Sequence, residues 1–178
     1  EFQPPAHQLL DLLVFLCPPC SLWLYVKISV KLDVIDLQKR YPIEKNKIKK
    51  LVRYVLKVEK KDKNDAELNV VFIDNKGIKE MNRNFLGHNY ATDVLSFAYH
   101  EPSRENAITG EIIISVEMAA QRAQKRGYSI EGEITLYLVH GLLHLFGYDD
   151  KQKSDAKKMH QREGELLSDL GYCVPIPH

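Results

Sequence analysis

Two histidines, His140 and His144, stand four residues apart in an apolar run, residues 136–150, that reads LYLVHGLLHLFGYDD. On a helix this spacing puts both imidazoles on one face, one turn apart. Gly147 follows three residues later. Glycine can take the left-handed conformation that ends a helix and turns the chain back. That turn would bring Asp149 and Asp150 toward the histidine face. Two neutral imidazoles and one carboxylate converging on a point suit a divalent transition metal, zinc first. The ordinary alternative is a hydrogen-bonded core histidine, and a single His in such a run would be read that way. A pair at this spacing, followed by a glycine turn and an acid, is harder to assign to packing alone.

The spacing is that of a zincin helix, but the residue after the first histidine is Gly141 rather than Glu. In those proteases the Glu is the general base toward the bound water. Its absence argues against peptide hydrolysis by that route.

Three stretches carry a family resemblance. HGLLHLFGYDD, beginning at His140, resembles the HGxLHLxGYDH signature of the YbeY family, the metal-dependent endoribonucleases of ribosomal RNA maturation. NRNFLGHNYATDVLSF, residues 82–97, resembles that family's NxxFRGxxxPTDVLSF, and GEIIIS, residues 110–115, resembles its GDIxIS. They lie in the family's order and, with the intervening helix, extend over roughly residues 26–172. The resemblance implies one zinc ion held by His140, His144 and Asp150. It also implies a cleft strand lined by Thr92, Asp93 and Ser96, with the catalytic group itself unassigned beyond an activated water. Asp149 is expected to orient one imidazole. The implied activity is cleavage of single-stranded RNA in ribosomal RNA precursors, in the cytoplasm. The implied partners are RNA and the small ribosomal subunit, with no DNA or membrane partner.

In the first two of these stretches the chain departs from the pattern at three positions. The family's third histidine is Asp150, the arginine of its FRG triplet is Leu86, and the proline before TDVLSF is Ala91. Aspartate still ligates zinc. The loss of the arginine bears more on catalysis, because a guanidinium can neutralise a phosphorane-like transition state and a leucine cannot. A metal at this site could polarise a non-bridging phosphate oxygen and lower the pKa of a bound water toward about 7. With an aspartate in place of a histidine it should be the weaker Lewis acid. A second reading therefore stays open, a ribosome-assembly or RNA-binding factor that keeps the metal for folding but cleaves poorly. A third, a metallopeptidase-like hydrolase, is disfavoured by Gly141.

The elements that must position these groups follow from periodicity. At 178 residues, 44% hydrophobic and 28% charged, the chain suits one globular domain with a full core. A net charge of +1 does not announce a nucleic-acid binder, so any such surface must be local. Cys17, Cys20 and Cys173 are expected to be free thiols, a lone CPPC pair being weak grounds for zinc or redox chemistry. Residues 1–24 stand apart as an N-terminal extension. They begin with Glu1 and carry an apolar run broken by Asp11, Pro18 and Pro19. They are too interrupted to span a membrane and lack the basic start of a secretory signal. A mis-set start, a directing extension or an extra helix over residues 7–16 would each fit, and the first is favoured because the resemblance begins near Val26.

Residues 25–35 alternate as a half-buried strand. Pro42 suits the first turn of a helix over 43–58, apolar at Ile48, Leu51, Val52, Val55 and Leu56 and basic on its other face. That basic face is an ordinary solvated surface or a phosphate-attracting one. A polar loop at 60–65, a strand at 67–73 and a helix at 76–85 capped by Asp74 follow. Next come a loop at 87–91, a strand at 92–99, a connection at 102–108, a strand at 110–116 and a helix at 117–126 ended by Gly127. The histidine helix opens at Ser129 or Ile130. Ser154 caps a last helix to about Leu170, ended by Gly171, and His160 on it is read as structural or solvated. The expected fold is α+β: one domain over residues 25–172, a mixed sheet of about four strands packed with helices, the zincin-like metal helix central and buried, and a tail at 173–178. Arg83, Lys125, Arg126, Tyr90 and Tyr99 are candidates for holding RNA near the cleft.

Overall fold

A computed structural model describes residues 30–61, 65–99 and 107–174. The expectations for the first two dozen residues, for the CPPC pair and for most of the connection at 102–108 lie outside the described residues.

In chain order the elements are β1 (Val30–Asp36), α1 (Lys45–Val58), β2 (Ala66–Ile73), α2 (Asn75–Leu86), β3 (Val94–Tyr99), β4 (Ile108–Ser115), α3 (Val116–Arg126), α4 (Ile130–Leu145) and α5 (Lys153–Asp169). The strands form one mixed sheet in the order β1-β2-β4-β3, parallel except for β3, which runs antiparallel to β4. β2 and β4 are central; each alternates over its first four residues and is buried continuously over its last four, where both faces of the sheet are covered. One face carries the main core, where Val70, Phe72, Ile112 and Ile114 meet α1, α4 and α5. The other face is smaller, with Val71, Ile73, Leu95 and Ile113 packed on Ile78 of α2.

α4 is apolar nearly all round, and Leu138, Val139, Leu142 and Leu143 are fully buried. It lies centrally on the sheet, as its composition requires. The Ser129 side chain accepts from the Gly132 amide and so fixes its start. α2 and α3 are capped in the same way, by Asp74 on the Gly77 amide and by Ser115 on the Met118 amide.

Two helix starts differ from the sequence expectation. α1 begins at Lys45 rather than near Pro42. The Gln38 side chain bonds the backbone of Arg40 and both the N–H and the carbonyl of Tyr41, which holds the segment leading up to the proline in a turn. α5 begins at Lys153 with Gln152 at its cap, so Ser154 sits inside the first turn. The Asp149 carboxylate accepts from the amides of Asp150 and Lys151, and this turn delivers the chain into the helix two residues early.

One buried acid on α4 is a liability at neutral pH. Glu133 is fully buried, accepts from the Tyr128 hydroxyl and lies 3.9 Å from the Arg126 guanidinium. Burial raises its pKa above the ordinary carboxylate value more than Arg126 lowers it. Its folded pKa therefore exceeds its unfolded one, so its contribution is most favourable below the ordinary range and is lost as pH rises through the folded value. Glu133→Gln removes that titration, and thermal melts should show a flatter decline of Tm above the ordinary carboxylate range. A decline as steep as in the parent chain would contradict this.

Candidate metal centre

His140 and His144 occupy the last two turns of α4, and the chain leaves the helix through Gly147 at φ 95°. That conformation is the one glycine adopts without strain. The Tyr148 amide closes onto the Leu143 carbonyl, and Asp150 is carried back over the histidine face. The ligand atoms of His140, His144 and Asp150 all lie within 4.8 Å of one another. The two Nε2 atoms are 3.0 Å apart, and Asp150 Oδ2 is 3.9 Å from His144 Nε2. A tetrahedral ion with bonds near 2.1 Å needs donors roughly 3.4 Å apart, so the two imidazoles would part by a few tenths of an ångström and Asp150 would draw in by about 1.5 Å at most. It is the most exposed of the three and free to do so.

The outer nitrogens settle which atoms face that point. His140 Nδ1 is 2.7 Å from Oε1 of Glu163, and His144 Nδ1 is 3.1 Å from the Tyr148 carbonyl. A carboxylate and a carbonyl both accept, so each ring donates from Nδ1 and turns its Nε2 lone pair inward. This donor set fits a divalent metal. Burial opposes the charged form of His140, but the hydrogen bond and charge of Glu163 outweigh it and raise the pKa above the ordinary imidazole value.

Glu163 was not anticipated from sequence. It lies on α5 with 1% of its surface exposed, among Met159, Leu166 and Leu167. The available signal was an acid on an apolar helical stripe. Asp149, expected to orient an imidazole, instead holds the turn through its amide bonds. The Tyr148 hydroxyl donates to Glu59, and Glu59 also receives Arg162 Nε at 2.6 Å. The turn that supplies Asp150 is thereby tied to both α1 and α5.

The candidate cleft residues fall at and just before β3. Thr92 donates to Asp93, whose carboxylate also accepts the Val94 amide and lies 3.6 Å from Arg122. Ser96 is opposite Ile112 in the β3–β4 pair, and its buried hydroxyl has no hydrogen-bond partner. Both residues lie against Gly141. A Cβ there would come within 2.8 Å of Ser96 Oγ and of Ile112 Cγ2. One turn on, Leu145 packs over Gly110, where a Cβ would meet it at 2.8 Å. The two glycines let α4 settle directly on β3 and β4. No side chain of glutamate size fits between the histidines at position 141. Gly141→Ala should therefore destabilise the chain by about 1–3 kcal/mol in urea titration, the usual cost of overpacking, despite alanine's better helix propensity. A gain in stability would show that Ser96 rotates aside freely.

Leu86 ends α2 and is half exposed. Tyr90 is exposed and stacks on His88 with ring centroids 5.5 Å apart. Tyr99 is exposed and donates to Glu111. Arg83 approaches Glu80 at 3.9 Å, and Arg126 is drawn to Glu133 and Tyr128 on the α3–α4 side. Lys125 is exposed. His160 is half-buried, and Cys173 is a free, exposed thiol. No helix among the described residues is long and apolar enough to cross a membrane.

A single α+β domain with a buried helix presenting two imidazoles and an acid from the following turn defines a protein built around a helix-borne candidate metal site. The sequence model of the family described as Endoribonuclease YbeY matches residues 33–171, and the chain belongs to that family. A relative of that description from Alkaliphilus metalliredigens is 37% identical over 150 residues, 80% of this chain and 96% of its own length. One from Desulforamulus reducens is 37% identical over 147 residues, 78% of this chain and 95% of its own. Against a relative from Anaeromyxobacter the identity is 40% over 102 residues, and the chain spans about half of that protein, 53%. A solution structure of a Thermotoga maritima protein shares the fold, with a TM-score of 0.52 over 79% of this chain and 91% of its own at 24% identity.

Proposed function

We propose that this chain is a metal-dependent endoribonuclease that cuts single-stranded RNA during ribosomal RNA maturation, in the cytoplasm and in association with the small ribosomal subunit. One zinc ion would be held by His140 Nε2, His144 Nε2 and an Asp150 oxygen. The observation that carries the reading is the convergence of those donors within 4.8 Å, with both outer imidazole nitrogens already committed to acceptors. When bound, such an ion supplies Lewis acidity and an activated water. The chain's own contribution is to hold the two rings in one tautomer through Glu163 and the Tyr148 carbonyl. It also fixes the acid-bearing turn through Glu59, and places Asp93 at the head of β3, where its charge acts on His140. The family description supports the endoribonuclease activity.

A specific observation favours a second reading, an RNA-binding assembly factor that cleaves poorly. Leu86 offers no charge at the end of α2, and Asp150 makes the ligand set one charge more negative than three imidazoles. The test combines metal analysis with cleavage of a single-stranded RNA, in the parent chain and in His144→Ala. Stoichiometric zinc and cleavage that are both lost in the variant support the first reading. Zinc without cleavage in the parent supports the second. A parent chain that binds no divalent metal sinks both.

A further inference from the structure

We propose that the outer flank of α1 is a second contact surface for RNA, gripping the phosphate backbone away from the metal centre. The choice of RNA as the polyanion rests on the reading above, whereas the surface itself rests on separate observations. α1 reads KNKIKKLVRYVLKV, with five lysines, one arginine and no acid. Lys45, Lys49, Arg53 and Lys57 are each four residues apart and so form a single row, about 18 Å long at the helical rise. Lys50 lies beside it. Lys47 is on the other flank and pairs with Glu131 of α4. Among the described residues the remaining five cations form no ion pair.

The chain's net charge is only +1, so this concentration is local. Like charges at this spacing work against a helix, and no acid in the first turn offsets them. An ordinary solvated face mixes signs along the helix, and this one does not. The helix holds its shape because Ile48, Leu51, Val52, Val55 and Leu56 are buried on the side away from Lys50, Arg53 and Lys57, while Lys45 and Lys49 border that buried face. A row of cations without ion pairs among the described residues, exposed at Lys45, Arg53 and Lys57 and half-buried at Lys49, is complementary to a phosphate backbone, whose neutralisation releases counterions. The row also leads to the right place. Immediately after α1, Glu59 accepts from the Tyr148 hydroxyl, and the carbonyl of the same tyrosine holds His144. An RNA strand seated at the metal centre and extending along that turn toward the C-terminal end of α1 would meet the end of the row.

The experiment uses the full chain with a fluorescein-labelled single-stranded RNA about twenty nucleotides long, read by anisotropy from low to high salt. The fourfold variant Lys45→Gln, Lys49→Gln, Arg53→Gln and Lys57→Gln is compared with a charge-matched control, Lys31→Gln, Lys39→Gln, Lys157→Gln and Lys158→Gln. The α1 variant should lose roughly ten-fold or more in affinity near 0.1 M salt. Its log–log salt slope should fall by about 0.7 for each phosphate contact removed, close to 3 for four, while zinc content is unchanged. The control should stay within about two-fold. Equal losses in the two variants, or an unchanged slope in the α1 variant, overturn the proposal. A row that holds polyglutamate as tightly as RNA would assign it to an acidic protein and overturn it as well. A parent chain that binds no RNA at all would instead remove the endoribonuclease reading.

Discussion

Glu163→Ala should weaken zinc binding by about ten- to a hundred-fold, the usual effect of removing the group that orients a ligating imidazole. Glu163 meets His140 at Nδ1, the nitrogen opposite the Nε2 that would face an ion. Its carboxylate receives the proton of His140 Nδ1 at 2.7 Å from a site with 1% exposure. With that acceptor gone, His140 loses the bond that fixes both its ring rotation and its tautomer. A fraction of the rings then carries the proton on Nε2, where the metal must bind. Glu163→Gln keeps an acceptor oxygen but loses the charge, so its affinity should fall between the parent and the alanine variant. Competition against a chromophoric chelator measures the constants, and nitrogen-detected NMR of the imidazoles reports the tautomer. An alanine variant with parental affinity and an unchanged His140 tautomer would reduce Glu163 to a packing residue.

That residue marks where sequence reading stopped. The pair at 140 and 144, the glycine turn and the returning acid are local in sequence, so spacing alone located them. The four strands and the buried character of α4 are equally local, being statements about periodicity. Glu163 is joined to His140 across 23 residues by the packing of α5 on α4, and no spacing rule reports that distance. Glu59 escaped for the same reason, since it reaches Tyr148 over 89 residues. The misplaced helix starts have a different origin. Pro42 and Ser154 have the intrinsic preferences of helix-start residues, but side-chain hydrogen bonds from Gln38 and Asp149 hold the preceding chain in turns that override them. Gly141 shows a third kind of gap. Sequence showed that the zincin acid is missing. Only the packing of Ser96 and Ile112 against the helix shows why no acid could stand there.

Leu86→Arg combined with Asp150→His should raise kcat/KM for single-stranded RNA by about a hundred-fold, the scale on which one well-placed donor to a developing oxyanion acts. Both positions tolerate the change. Leu86 is 50% exposed at the end of α2, so an arginine there displaces no core contact, and the Asp150 side chain is 41% exposed. The charges decide the direction. A divalent ion with the carboxylates of Asp150 and Glu163 beside it is formally neutral, since two positive charges meet two negative ones. Replacing Asp150 by a neutral imidazole leaves one positive charge at the centre. An arginine at position 86, which the family resemblance implies faces the cleft, would add a second, and its planar fork suits a phosphate better than a lysine would. Each attracts the substrate and, more strongly, the extra negative charge of the transition state. The single variants should each give part of the gain, with the larger share from Leu86→Arg because guanidinium acts directly on phosphate oxygens. The measurement is single-turnover cleavage at matched zinc occupancy. A double variant that loads zinc fully and cleaves no faster than the parent would mean that neither residue limits the reaction.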